Sequence, residues 1–506
     1  MSLQQLSFIR TDWLERNAQY WPDRPALTWV PTGERWTFAQ LHAEGEALAA
    51  ALTTHFGLQK GDRIAVLAEN RPEHVLLFVA CQKAGWILVP LNYRLAAPEL
   101  AYQVADCAPA LLLYDALYAD VAQTLGADML LPLETIRSFA RADVQRKTRP
   151  AVHLDDPLMI LYTSGTTGRP KGAIITHGMI AWNAFNTIHR LDLTSQDVSF
   201  NAAPFYHTGG WNVLLTPFLF KGGHTYLLER FDPGQILQLC DEVGITILWG
   251  VPTMLRMLAD HPRFEQTSFK TVRYAVVGGE AMPEPLIRRW HAKGVPIRQG
   301  FGMTEVGVNC FSLPEADALR KIGSIGFPNF YVEVRVVDEQ GREVGVNAVG
   351  ELLMRGPVVT PGYWRRPEAT AEAIDADGWF HTGDLVRQDA DGYFYVVGRK
   401  KDMYISGGEN VYPAEVEAVL RAHPDVAEAA VVGVPDPKWG ESGAAFLVLK
   451  PGRTLTAKAV QAYCRTQLAG YKVPRHVFFL KALPLGPTGK CDKQALRQQA
   501  LHRLSL

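Results

Sequence analysis

The densest chemistry in the chain lies between Thr163 and Gly172, in Thr-Ser-Gly-Thr-Thr-Gly-Arg-Pro-Lys-Gly. Glycine lets a backbone curl so that successive N–H groups point to one side and form an anion nest. Gly165 and Gly168 supply that freedom, Thr163, Ser164, Thr166 and Thr167 add hydroxyl donors, and Lys171 adds a positive charge. The combination predicts a phosphate cradle. It is not a Walker loop, because Pro170 precedes the lysine and Ala173-Ile-Ile-Thr176 reads as a strand where a Walker loop demands a helix.

The elements that must position this loop are legible around it. Met159-Ile-Leu-Tyr162 is a strand that runs into it. Upstream, Arg63 to Ala68 reads as a buried strand, Pro72 to Lys83 as a helix and Trp86 to Pro90 as another strand. The pattern returns at Arg273 to Val277, before a helix opening near Pro283. Such alternation predicts α/β architecture with mostly parallel sheets and helices on their faces. From about Gly323 the texture turns to short alternating strands, at Val332 to Val337, Gly350 to Met354 and Tyr393 to Val397. We therefore expect a large N-terminal domain over residues 1–398, with a β-rich part at 323–398. A hinge at 399–401 and a small mobile α+β domain at 402–506 would follow.

Composition narrows the function classes. Across 506 residues, 51 Lys and Arg balance 52 Asp and Glu, so the net charge of −1 gives no footing for nucleic acid. The six cysteines fall at no metal-ligand spacing and read as reduced thiols, which points to the cytoplasm. The N-terminal residues lack a signal-peptide pattern, and no apolar run approaches the ~18 residues that span a bilayer. No Ser-His-Asp or Cys-His constellation is evident.

The loop Tyr162 to Gly172 resembles the signature of the acyl-adenylate-forming superfamily, which includes acyl-CoA synthetases, amino-acid adenylation domains and firefly-type luciferases. The family's further motifs stand in order along the chain: Pro204-Phe-Tyr-His-Thr-Gly-Gly-Trp211, Gly300-Phe-Gly-Met-Thr-Glu305, Gly350-Glu-Leu, Gly362-Tyr-Trp364, Thr382-Gly-Asp384, Gly398-Arg-Lys-Lys-Asp402, Gly407 to Pro413 and Pro487-Thr-Gly-Lys490. The resemblance implies an AMP-forming acid–thiol ligase, nearest to fatty-acid–CoA ligases, that uses ATP, Mg²⁺ and coenzyme A as co-substrate.

It also implies roles. Thr163, Ser164, Gly165, Thr166, Thr167, Gly168 and Lys171 would hold the β- and γ-phosphates. Thr163 and Glu305 would hold Mg²⁺, a hard cation suited to oxygen ligands. Gly279, Glu280, Gly300, Phe301, Gly302 and Met303 would line the adenine side, and Thr304 would touch the α-phosphate. Asp384 would take the ribose hydroxyls, and Arg399 would donate to ribose or phosphate. Lys490 would be the main catalytic charge, with His207, Thr304 and Glu305 beside it. Phe205, His207, Trp211 and Gly302 would form the acyl pocket. Gly407, Gly408 and Trp439 would meet CoA, and Lys401 would be the pivot between two poses. The expected partners are small molecules, with two further ones admitted by the resemblance: a second copy of the chain, and a lysine acetyltransferase acting on Lys490.

The acid itself is read from Trp211. No carboxylate stands in its motif to pair with an amino-acid ammonium. A tryptophan at this place resembles a gate over a fatty-acyl tunnel, and Gly209 and Gly210 would let it swing. A medium- or long-chain fatty acid is the expectation. The alternatives are an aryl or arylpropenoic acid, and transfer to a carrier-protein thiol in place of CoA.

Overall fold

The computed structural model describes residues 11–142, 150–163, 170–486 and 490–504. The chain divides into two compact units, one of residues 1–334 and 354–380, the other of 335–353 and 381–506.

The first unit is built on three sheets. In the six-stranded one the order is Leu130–Pro132, Leu111–Tyr114, Arg63–Leu67, Ile87–Pro90, Pro157–Thr163 and Lys171–Thr176. All pairs are parallel except the last, which is antiparallel. The apolar run Arg63–Leu67 is buried on both faces, as the interior strand of a covered parallel sheet must be. Pro72–Ala84 is a helix in which every residue is buried, opened by proline at its first position and closed by Gly85 at φ 71°. It has no polar face because the helix Phe38–Phe56 covers its outer side.

A five-stranded sheet, Ile247–Gly250, Tyr274–Val277, Ile297–Met303, Gly307–Ser312 and Phe327–Pro328, starts parallel and turns antiparallel at Gly307–Ser312. The third joins Glu34–Thr37, Pro25–Trp29, His224–Leu227 and Val198–Asn201. The expected α/β class and the strands flanking the loop are all present. Among the described residues no helix is long and apolar enough to cross a membrane.

The second unit holds most of a sheet ordered Glu333–Val337, Val349–Arg355, Phe380–Gln388 and Phe394–Arg399. It also holds an α+β body whose long hairpin, Val426–Asp436 with Gly440–Leu449, carries the helices Pro413–Ala422 and Lys493–Leu504. The contact-based division therefore differs from the expected one at residue 398. It groups the Phe380–Gln388 and Phe394–Arg399 strands with the C-terminal body, because the second of them leads directly into it. Lys401 lies inside this unit, in the short turn Lys400–Asp402.

Candidate active site

On the phosphate side, the strands Pro157–Thr163 and Lys171–Thr176 pair so that Thr163 faces Lys171. The two ends of the predicted cradle are thus held in register. Ser164, Gly165, Thr166, Thr167 and Gly168 lie outside the described residues. Glu305 sits in the turn Thr304–Val306, which follows the strand Ile297–Met303, and it is buried. Thr163 Oγ1 donates to Glu305 Oε1 at 3.2 Å. The Tyr363 hydroxyl donates to the same oxygen at 3.1 Å. Burial, with Glu305 next to it, pushes the Tyr363 phenol well above its ordinary value, so it stays a neutral donor. The Lys171 ammonium lies 5.2 Å above the Tyr363 ring.

This donor set consists of a carboxylate and two hydroxyls, with no nitrogen or sulfur. It fits Mg²⁺, which takes few protein oxygens and completes its shell with phosphate and water. Tyr363 was not singled out beforehand, although it stands in the Gly362-Tyr-Trp364 motif. A second group of candidate ligands, Asp12, His42 and Glu46, converges elsewhere. There the buried Lys83 ammonium lies 2.7 Å from Asp12, 3.2 Å from Glu46 and 2.9 Å from His42 Nδ1. That cluster is already served by a protein cation.

On the adenine side, Gly302 has no room for a side chain. An added Cβ would stand 2.3 Å from the Gly307 carbonyl oxygen. The strand reverses tightly there, pairing Met303 with Gly307, and so delivers Thr304 and Glu305. Phe301 is half-buried and packs edge-on against Phe311 at 5.8 Å. Gly279 takes φ 84° and Glu280 is exposed. Gln299 Nε2 donates to the Glu280 carbonyl at 3.1 Å and lies 3.3 Å from that of Val277, pinning this turn to the neighbouring strand. Gln299 escaped the sequence reading because its amide acts on backbone carbonyls that only the fold brings near it.

The acyl-pocket motif departs from expectation at Trp211. This indole is 0% exposed and lies in the core of the large sheet. It stacks on Phe78 at 5.3 Å, contacts Phe205 at 4.3 Å, and donates its N–H to the Phe205 carbonyl at 2.7 Å. Gly210 is required by close packing, since a Cβ there would lie 2.7 Å from the Pro204 carbonyl oxygen. In this structure Trp211 is a buried core side chain packed by Phe78 and Phe205. Phe205 is buried on the same cluster, with its N–H bound to Asn70 Oδ1 at 3.2 Å. His207 is half-buried ahead of the short helix Thr208–Asn212, which packs on the strand Gly307–Ser312. Tyr206 was missed. Its ring lies 4.6 Å from that of His207, and its buried hydroxyl has no hydrogen-bond partner among the described residues.

In the second unit, Asp384 and Arg399 face each other across two strands, and Arg399 Nε lies 2.5 Å from Asp384 Oδ1. The carboxylate is buried, and the Asp384 N–H is held by Thr382 Oγ1 at 3.1 Å. Glu351, in the Gly350-Glu-Leu motif, accepts from Lys400 Nζ at 3.0 Å and from the Gly383 N–H at 3.2 Å. It stiffens the turn that presents Asp384. Gly407 and Gly408 both take left-handed φ, 64° and 86°. Gly407 presses against Trp439, where a Cβ would meet the indole at 2.8 Å. Trp439 is 37% exposed, with Lys438 at 4.8 Å and Arg475 at 5.7 Å from its ring, an aromatic-cationic surface suited to a nucleotide. Lys490 is exposed, and its carbonyl accepts from the Gly486 N–H at 2.8 Å. Lys401 is also exposed.

With this geometry in hand, comparison with known proteins gives concordant matches. The family profile described as AMP-binding enzyme matches residues 14–364, and the one described as AMP-binding enzyme C-terminal domain matches 415–490. A feruloyl-CoA synthase of Amycolatopsis sp is 41% identical over 96% of this chain and 98% of its own. A long-chain-fatty-acid–CoA ligase of Mycobacterium tuberculosis is 38% identical over 96% and 97%. Among solved structures, o-succinylbenzoate CoA synthetase of Bacillus subtilis, in complex with its acyl-adenylate intermediate, superposes with a TM-score of 0.87 at 33% identity, covering 97% of each chain.

Proposed function

This chain belongs to the AMP-binding enzyme family of acyl-adenylate-forming ligases, and from that premise we propose that its acid is an aryl or arylpropenoic carboxylic acid. As an AMP-forming acid–CoA ligase it uses ATP, Mg²⁺ and coenzyme A. A carboxylate oxygen attacks the α-phosphorus of ATP and pyrophosphate leaves. The CoA thiol then attacks the acyl carbon and AMP leaves.

Positioning and charge neutralisation suffice for such a transfer, so no protein nucleophile is needed. In our reading Glu305 and Thr163, with Tyr363 behind them, would hold Mg²⁺, which would supply charge neutralisation at the phosphates. Lys171 adds a fixed positive charge, Thr304 binds the α-phosphate, and Asp384 accepts the ribose hydroxyls while Arg399 orients it. Lys490 bridges carboxylate and phosphate where negative charge builds. Gly407, Gly408 and Trp439 receive CoA after a rearrangement about Lys401.

The observation that carries the aryl reading is the buried, hydrogen-bonded Trp211. This indole packs on Phe78 and Phe205 and is tied by its N–H, which supports a closed end over a long tunnel. The buried Tyr206 hydroxyl supports the reading, because a polar ring substituent would satisfy it where an alkyl chain cannot. The feruloyl-CoA relative agrees, and the fatty-acid expectation gives way to the aryl alternative. A fatty-acid reading retains the support of the long-chain relative. A second copy of the chain and an acetyltransferase at Lys490 find no support and form no part of the proposal.

A pyrophosphate-release screen over acetate, octanoate, palmitate, benzoate and cinnamate, with and without CoA, tests this. Cinnamate should lead, with CoA driving turnover. Palmitate in the lead would overturn it.

A further inference from the structure

The helix Ala97–Cys107 carries none of the family's motifs, yet both ends of the phosphate cradle are tied to it. Tyr162, which precedes Thr163, reaches the helix through its hydroxyl, 2.8 Å from Asp106 Oδ2 and 3.1 Å from the Gln103 carbonyl. At the other end, the Tyr102 hydroxyl donates to the carbonyl of Pro170, which precedes Lys171, at 3.3 Å. One guanidinium joins the two ties: Arg366 lies 2.8 Å from Asp106 Oδ1 and 2.8 Å from the Tyr102 oxygen.

The arrangement is specific. The Asp106 side chain is 6% exposed, and its two oxygens take one partner each, Tyr162 and Arg366. Burial, followed by the nearby Cys107 and Asp106, pushes the Tyr162 phenol far above its ordinary value, so it remains a donor at any working pH. Arg366 arrives from the segment that also delivers Tyr363 to Glu305, and the intervening Arg365 adopts a left-handed φ of 51°. A non-glycine residue held in that region marks a place where surrounding structure dictates the backbone. Trp364 N–H binds the Gly172 carbonyl at 2.8 Å, fastening the segment to the strand that follows the cradle.

We propose that Asp106, Arg366 and Tyr102 are positioning residues that set the register of Thr163 and Lys171 for the departing phosphates. They touch no reacting atom and act through the two flanks. Their influence should then be confined to the half-reaction in which pyrophosphate is present. This inference rests on the phosphate-side role proposed above for Thr163 and Lys171.

The test uses the full-length enzyme with Asp106→Asn, Tyr102→Phe and Arg366→Gln, plus Arg366→Lys as the conservative variant. Two reactions are measured: acid-dependent ATP–pyrophosphate exchange, and CoA thioester formation from synthetic acyl-adenylate. We expect Asp106→Asn and Arg366→Gln to raise KM for ATP and lower exchange, together by about 10-fold or more in kcat/KM, as loss of a charge-assisted bond does. KM for the acid and the thioester step should stay within about twofold. Arg366→Lys should restore part of the loss.

A merely structural role would lower both half-reactions together, and that result overturns the inference, as would unchanged kinetics for ATP. If Asp106→Asn fails to fold, Tyr102→Phe removes one hydroxyl and carries the same prediction at smaller size. Wild-type enzyme without acid-dependent exchange would instead refute the proposed function, so the two failures are distinguishable.

Discussion

Thr163 Oγ1 donates to Glu305 Oε1 across 3.2 Å, although 142 residues separate them in the chain. The bond joins the end of one sheet's strand to the turn after another's. It makes Glu305 the point where the strand Pro157–Thr163 meets the turn Thr304–Val306. Glu305→Gln keeps the shape and removes the charge that suits Mg²⁺. Acid-dependent pyrophosphate exchange should fall by about 10²–10³. Tyr363→Phe, which removes only one donor to that carboxylate, should cost about 10-fold or less. Comparable losses for both would show that the hydroxyl, not the charge, is what matters.

Trp211 serves the same site from behind. Its N–H fixes the Phe205 carbonyl, and the motif continues directly to Tyr206 and His207. Trp211→Phe leaves that buried carbonyl without its donor and should lower stability by about 1–3 kcal/mol. Trp211→Ala should cost about 3–5 kcal/mol by leaving a cavity. Thermal melts of the two variants check this. A variant with wild-type stability and a longer preferred acyl chain would restore the gate.

Much of this was legible in the sequence, and the limits have physical causes. The strands that flank the glycine-rich loop are present, and a nearly all-apolar strand marks the covered sheet at Arg63–Leu67. Local pattern suffices there because strand periodicity is a property of neighbouring residues. The burial of Trp211 was not legible because its partner Phe78 lies on a distant helix, and a motif does not say which way an indole points. Glycines beside it suggested freedom, whereas Gly210 is small because Pro204 presses on it. Asp106 and Tyr102 were invisible for the reverse reason. Each acts only through a residue brought near by the fold.

Buried histidines give the stability a defined pH dependence. Burial pushes the His74 imidazole down to about 3, while an exposed histidine in the unfolded chain keeps its ordinary 6.5. His177 and His224 are each pushed down to about 4, also by burial. Between these values the unfolded state binds more protons, so stability is complete above pH 6.5 and falls as pH drops below it. Each histidine contributes at most about 1.4 kcal/mol per pH unit. Melting temperature should therefore decline from pH 7 to pH 5, and less steeply for His74→Gln. Equal slopes in both proteins would remove His74 from the account.

Lys490 separates the two chemical steps. With its charge removed in Lys490→Ala, adenylation should fall by about 10²–10³. Thioester formation from supplied acyl-adenylate and CoA should continue, because the proposed role of Lys490 is in the attack on the α-phosphate and not in the departure of AMP. Lys401→Pro should show the opposite pattern, since proline fixes a backbone angle that a pivot has to change. Equal losses in both steps for either variant would contradict its assigned role.

The central claim is that this AMP-forming ligase takes an aryl acid, and the most direct measurement is kcat/KM for CoA thioester formation with ferulate against palmitate under identical conditions. If the proposed acyl pocket is short, a long chain stays partly outside it, and each methylene left unburied forfeits about 0.8 kcal/mol, or roughly fourfold in specificity. The account predicts that ferulate is preferred by at least about 100-fold. Preference for palmitate, or equal use of both acids, would contradict it.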